Sequence, residues 1–485
     1  MAPKRNIVGG VDSKAISLPK YIPFCINVTT DSNDSNDKGD KNKTIFDSTN
    51  EIILNTNIDY PRCSLGFQHY IHAIKKDTEI LKQFENKKKV YLVINPFERY
   101  IDGYNKSIGD ISKTYFDLGK SKTPDILSRG FYKLWELFFM FDIIDINKEN
   151  FTSAHLAEGP GSFIQATIFY RDMYCKKGLS KNDKYYAITL HPEDTKGHVP
   201  ELEKNFIEYY ANEKPRRFFQ HETVNKTQSG GGRDNGDLMC PDTLQNFYGG
   251  SNSTVKEKVD LITADGGFEW VNENIQEQEY FKLLFSQIVF ALNMQKKGGT
   301  FVVKFFETFT TTSFKFISIL NALYDKVFMV KPLTSRPSNS EKYAVCTGFN
   351  YSESDAKLKN ILKIMNDMHM QIYKNKNLNI VDIFPEYELS KQFLSRMIQM
   401  NTNILNSQFK AIGDIITFIN SQNYYGDTYQ DKREEQIQAA DYWVKLFFME
   451  IGEFKENKKK INDISFSSNK INIDKSIEFE KTLVF

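Results

Sequence analysis

The segment Leu156-Ala157-Glu158-Gly159-Pro160-Gly161-Ser162-Phe163 has the residue types and spacing best suited to chemistry in this chain. It follows the run Phe151 to His155 and leads into the helix-compatible stretch Ile164-Gln165-Ala166. A strand, a tight glycine turn and a helix start in succession is the layout that holds nucleotide-type cofactors. Gly159 and Gly161 tolerate positive φ and let a ligand approach bare backbone. Glu158 discriminates among such ligands, because a carboxylate there repels a diphosphate and welcomes a cation. S-adenosylmethionine, with its sulfonium and ammonium groups, therefore suits the turn better than NAD. The competing reading is a plain Gly-Pro-Gly turn.

Four more polar residues stand where a site could form. Asp265 closes the apolar run Val259 to Ala264 and is followed by Gly266-Gly267, and Lys304 closes Phe301-Val302-Val303. A charge ending a buried apolar strand is costly unless it is paired or used. Taken singly, Asp265 could be a helix N-cap and Lys304 a lysine snorkelling to the edge. Lys133 falls off the helical stripe Phe131, Leu134, Trp135, Phe138 and Phe139, and Glu341 sits just before a strand. Alone, these two read as a surface lysine and a loop carboxylate.

The elements that must position these residues alternate. A helix is predicted over 126–141, strands over 185–190 and 259–264, a helix over 277–294, a strand over 300–304, a helix over 313–323 and strands over 326–330 and 343–348. Such alternation implies an α/β fold, a Rossmann-like, mostly parallel, doubly wound sheet with its ligand site at the carboxyl ends of the strands. Residues 1–124 read as an N-terminal α/β accessory region, with a helix over 65–84, a strand over 89–94 and a disordered insert near 31–42. Residues 351–485 read as a helical C-terminal region with amphipathic helices over 358–370, 389–400, 404–419 and 433–451.

Bulk properties narrow the function classes. The 485 residues carry 63 Lys and Arg against 62 Asp and Glu, so a nucleic-acid surface must be a local patch rather than a global field. The five scattered cysteines form no C-x-x-C pair, which argues for a reducing compartment and against a zinc ribbon. His69 and His72 near Cys63 are weak metal candidates, and no metal is expected. No apolar run reaches the roughly 18 residues of a membrane span, so the expectation is a soluble, intracellular protein of cytoplasm or nucleus. Among the basic clusters Lys87–Lys89, Lys214–Arg217, Lys296-Lys297 and Lys458–Lys460, the stretch Lys214 to Arg217 is the first candidate for a phosphate track.

Several motifs together resemble a known family. Ser128-Arg129-Gly130-Phe131-Tyr132-Lys133-Leu134-Trp135-Glu136, the Glu-Gly-Pro-Gly loop, Ala264-Asp265-Gly266-Gly267, Val303-Lys304 and Lys331-Pro332…Ser335-Arg336…Ser340-Glu341-Lys342-Tyr343 look like the motifs of FtsJ-like ribose 2′-O-methyltransferases, in the family's order and over 125–350. The resemblance implies a Lys-Asp-Lys-Glu tetrad on Lys133, Asp265, Lys304 and Glu341. It also implies S-adenosylmethionine held by Glu158, Gly159, Pro160, Gly161, Ser162, Phe163 and Asp265, with Asp237 at the adenine end. The glycine-rich stretch Ser229 to Asn235 before Asp237 is longer than in compact members, and Glu193 or Asp194 is offered to the ribose.

A ribose 2′-hydroxyl is a poor nucleophile that needs a base and an aligned methyl donor. Lys304 is the candidate base, helped by burial and by a second cation such as Lys133, with positioning supplying most of the rest. Compact family members acting on ribosomal or transfer RNA have little beyond the catalytic domain. The flanks 1–124 and 351–485 resemble instead the eukaryotic and large-DNA-virus enzymes that modify the first nucleotide of capped mRNA. The expected partners are therefore the capped mRNA 5′ end and, at that end, capping or transcription machinery. A catalytically silent RNA-binding or scaffold subunit is the alternative of another class.

Overall fold

The computed structural model describes residues 21, 23–29, 44–61, 64–98, 126–194, 201–229, 234–267 and 272–447. The expected insert near 31–42, Cys63, part of the glycine-rich stretch and Lys458–Lys460 lie outside these residues.

Ten strands are present among the described residues: β1 (Phe24–Asn27), β2 (Ile52–Asn55), β3 (Thr152–Leu156), β4 (Lys184–Ile188), β5 (Phe218–Gln220), β6 (Val259–Ala264), β7 (Gln295–Phe305), β8 (Tyr324–Lys331), β9 (Lys342–Phe349) and β10 (Asn379–Ile383). Eight of them form one sheet in the order β1-β8-β9-β7-β6-β3-β4-β5. From β7 to β5 the neighbours run parallel, whereas β9 enters antiparallel between β7 and β8, and β1 joins β8 antiparallel at the edge. β3 is buried at every position, as expected of a parallel strand covered on both faces.

The covering helices are α1 (Leu65–Lys76), α2 (Gly130–Phe141), α3 (Ser162–Tyr174), α4 (Lys204–Ala211), α5 (Pro241–Phe247), α6 (Gln276–Met294), α7 (Thr311–Leu323), α8 (Ala356–Lys374), α9 (Lys391–Asn420) and α10 (Asp427–Phe447). One core lies under α6, α7 and α8; the other lies under α2 and α3 and includes Trp443 of α10. Phe131, Leu134, Trp135, Phe138 and Phe139 are all fully buried in the second core, each contributing about 1.5–3 kcal/mol of apolar burial. That packing anchors the helix from which Lys133 emerges.

Three predicted elements differ. The helix expected over 65–84 ends at Lys76 and continues as a 3-10 helix over Asp77–Phe84. Val90–Ile94 is a short 3-10 helix, not a strand. Its β-branched residues favour a strand locally, but Val90 and Val93 gain more by packing on Ile415, Phe418 and Ile419 of α9. The two helices expected over 389–400 and 404–419 are one continuous helix, since nothing in Asn401-Thr402-Asn403 breaks the backbone ladder, and Asn401 turns its side chain to Thr308.

Candidate active site

The carboxyl ends of β3, β4, β6 and β7 lie side by side, and the polar residues singled out by the sequence gather there. β3 leaves the sheet through Ala157, whose φ of +52° is unusual for a residue with a Cβ. Gly161, at φ +112°, lets the chain turn into α3. The turn is tied to the segment leading into α2 by a 2.6 Å contact between the Ser128 and Ser162 hydroxyls. Beneath it, His155 is fully buried and hydrogen-bonded to Ser153 and, across the strands, to Thr263. Burial holds the imidazole pKa down to about 3, so this histidine is a neutral strand-to-strand brace.

Glu158, expected to hold the cofactor, also builds the turn itself. Its Oε1 accepts the Phe163 and Ile164 amides at 2.8 Å each, which fastens the start of α3. Burial raises its pKa well above the usual carboxylate range, with the nearby Asp265 charge adding to the effect. That oxygen shapes the turn from within.

The four tetrad candidates come together as two ion pairs. Lys133 Nζ lies 2.8 Å from Glu341 Oε1 and 2.9 Å from Oε2. Lys304 Nζ donates to the Asp265 carbonyl at 2.8 Å and stands 3.1 Å from Asp265 Oδ1. The pairs belong to one cluster. Burial would raise the Glu341 carboxyl, but the charges of Lys133 and then Lys304 outweigh it and hold this carboxyl below its ordinary range. Their side chains keep between 11% and 25% of their exposure, so a substrate can still reach them. The two glycines after Asp265 are needed on different sides. A Cβ on Gly266 would meet Gln287 Oε1 at 2.6 Å, and one on Gly267 would crowd Lys304 Nζ at 3.3 Å.

Three supporting residues had no assigned role from sequence. The Tyr343 hydroxyl, on β9 opposite Lys304, donates to Asp265 Oδ1 at 2.9 Å. Lys331, at the end of β8, donates to Ser335 Oγ, Asn339 and the Glu341 carbonyl, and burial lowers its pKa to about 7. Ser335 Oγ then donates to Glu341 Oε1 at 3.0 Å. The signal that flags Lys304, a lysine closing an apolar strand, is also present at Lys331.

On the other flank, Asp237 lies in a loop laid against the end of β4. Asp234 builds that loop by accepting the Gly236 amide while bonding His221 and Asn246. Gly236 has a φ of +77°, and a Cβ there would fall 2.2 Å from the Thr189 carbonyl. Asp237 Oδ1 accepts the Met239 amide at 2.9 Å, and burial raises its pKa. Among the described residues, Thr189 Oγ1 and Asp194 Oδ2 are buried there without hydrogen-bond partners. No group of three His, Cys, Asp or Glu side chains among the described residues could hold a metal ion.

The family model described as FtsJ-like methyltransferase matches residues 126–349, the stretch that carries every member of this cluster. That match takes in just under half of the chain. The chain is 29% identical over 308 residues to the cap-specific mRNA (nucleoside-2′-O-)-methyltransferase 1A of Caenorhabditis briggsae, covering 62% of this chain and 32% of that protein. It is 30% identical over 291 residues to cap-specific mRNA (nucleoside-2′-O-)-methyltransferase 1 of Xenopus laevis, covering 58% and 31%. It is also 28% identical over 308 residues to the Caenorhabditis briggsae protein named inactive cap-specific mRNA (nucleoside-2′-O-)-methyltransferase 1B, covering 62% and 33%. The chain thus spans about a third of the length of the curated relatives it matches.

The residues gathered here fit S-adenosylmethionine, the cofactor that the resemblance implies. The glycine turn follows β3, and the two buried oxygens after β4 that lack partners among the described residues suit ribose hydroxyls. Asp237 lies beyond them and Asp265 beside the tetrad lysine. The first candidate for a phosphate track fares differently. Arg217 is 8% exposed and spends its guanidinium on Asp172 and Glu213, so it braces the edge of the domain. No helix among the described residues is long and apolar enough to cross a membrane.

Proposed function

We propose that this chain methylates a ribose 2′-hydroxyl of RNA, at the first transcribed nucleotide of capped mRNA, with Lys133, Asp265, Lys304 and Glu341 as the reacting cluster. The observation that carries the reading is the meeting of the Lys133–Glu341 and Lys304–Asp265 pairs next to the glycine turn. The bound cofactor supplies an electrophilic methyl group on a sulfonium. Lys304, fixed by two contacts to Asp265 and reacting as its uncharged amine, takes the proton of the attacking hydroxyl as the O–C bond forms and the S–C bond of the sulfonium breaks. Tyr343 holds Asp265, which keeps the Lys304 side chain from swinging away, and Lys133 and Glu341 hold each other. Such fixed geometry spares the reaction the entropy of aligning its partners.

The cap assignment draws on the relatives' names and on the flanks beyond the methyltransferase domain. Likeness alone does not select an active enzyme, since one relative carries the word inactive in its name. The intact ion-paired cluster favours activity, because burying two unused lysine–carboxylate pairs brings no net stability over apolar packing. The test is transfer of a labelled methyl group to matched capped and uncapped RNA. Preferential transfer to the capped RNA is expected. Equal transfer to both would remove the cap assignment, and transfer to neither would favour a scaffold.

A further inference from the structure

The loop that presents Glu341 is gripped from outside the methyltransferase domain. Glu98, in the N-terminal region, is 3% exposed. Its Oε2 lies 2.5 Å from Arg129 Nη1 and accepts Arg336 Nε at 2.9 Å, while its Oε1 accepts Arg336 Nη2 at 2.6 Å. Asn95 supports the carboxylate through its side-chain amide at 3.2 Å and offers its own carbonyl to Gln436 of α10. Arg129 lies one helical turn before Lys133 and also donates to the Thr334 carbonyl. Arg336 is five residues before Glu341 on the same loop.

Charge explains why a carboxylate is required there. Burial is the main reason that the Arg129 pKa sits below its ordinary value, and the Arg336 charge adds to it, so the two guanidiniums feel each other. Both also feel the Glu341 carboxylate, which attracts them. Burial would raise Glu98, yet the Arg336 hydrogen bond and the charges of both arginines keep it ionised and below its ordinary pKa. One buried anion therefore holds two like charges together and keeps them off the carboxylate that Lys133 and Lys304 need.

We propose that Glu98 is a positioning residue for methyl transfer: by clamping Arg129 and Arg336 it leaves Glu341 to Lys133 and fixes the spacing of α2 and the 333–341 loop. The role rests on the function proposed above only in taking RNA methylation as the reaction. Without the clamp, the arginines compete with Lys133 for Glu341, which distorts the cluster while leaving the cofactor turn intact.

The experiment uses the full chain with Glu98→Gln and Glu98→Asp. For Glu98→Gln, kcat should fall by about tenfold or more, with S-adenosylhomocysteine affinity within about twofold of wild type. Hydrogen–deuterium exchange should rise in 333–341 and stay unchanged in β3 and β6. Glu98→Asp, which keeps the charge, should recover most of the rate. A kcat within about twofold of wild type, cofactor affinity falling in step with the rate, or an aspartate variant as slow as the glutamine variant would overturn the proposal. A wild-type chain that methylates no RNA would refute the function proposed above and not this role. Exchange would then decide the role: an unaltered 333–341 loop in Glu98→Gln would end it.

Discussion

Replacing Lys304 with methionine separates catalysis from folding and cofactor binding. The change keeps an unbranched stem of similar length and removes the ammonium that bonds the Asp265 carbonyl and carboxylate. Asp265 retains the Tyr343 hydroxyl at 2.9 Å, and a quarter of its side chain meets solvent. The folding cost is therefore that of one partly screened charge-assisted contact, about 1–2 kcal/mol. Loss of a general base removes about 10²–10⁴ in rate, or about 3–5 kcal/mol of barrier. The two magnitudes are far enough apart to be told from each other. Steady-state transfer of a labelled methyl group should fall by that factor, while calorimetry finds S-adenosylhomocysteine bound within a few-fold of wild type. Thermal unfolding should shift by only a few degrees. A rate within about tenfold of wild type would place the base elsewhere and refute the reasoning, as would a loss of cofactor affinity that matches the loss of rate.

Gly236→Ala should weaken cofactor binding by about tenfold or more, because a Cβ 2.2 Å from the Thr189 carbonyl at φ +77° must displace the loop that carries Asp237. Calorimetric titration with S-adenosylhomocysteine checks it, and an unchanged affinity would detach Asp237 from the cofactor site. Arg217→Ala should destabilise the fold by about 1–2 kcal/mol, since it leaves the partly solvated Asp172 and Glu213 without their shared cation. Its RNA affinity should keep the salt dependence of wild type, and a reduced slope would return Arg217 to the phosphate track.

Much of the fold was legible because its signals are local. The runs at β6, β7, β8 and β9 are mostly apolar and bounded by glycine or charge, and the intervening helices carry their own periodicity. Short strands such as β1, β5 and β10 had no such signal, since each forms only because a neighbour offers an edge. Val90–Ile94 misled for the same reason, as its partner surface on α9 lies more than 300 residues away.

The sequence by itself determined which residues carry the charges and where the chain can turn. It placed a lysine and an aspartate at the ends of apolar strands, where an unused charge is expensive. Only the tertiary structure decided the pairings: Lys133 with Glu341, Lys304 with Asp265, Glu158 with the amides of α3, and Glu98 with two arginines of the methyltransferase domain. The physical reason is the range of the forces. Propensity and periodicity act between near neighbours in the chain, whereas a buried charge is satisfied by whatever group the fold brings within about 3 Å of it, however far away in sequence.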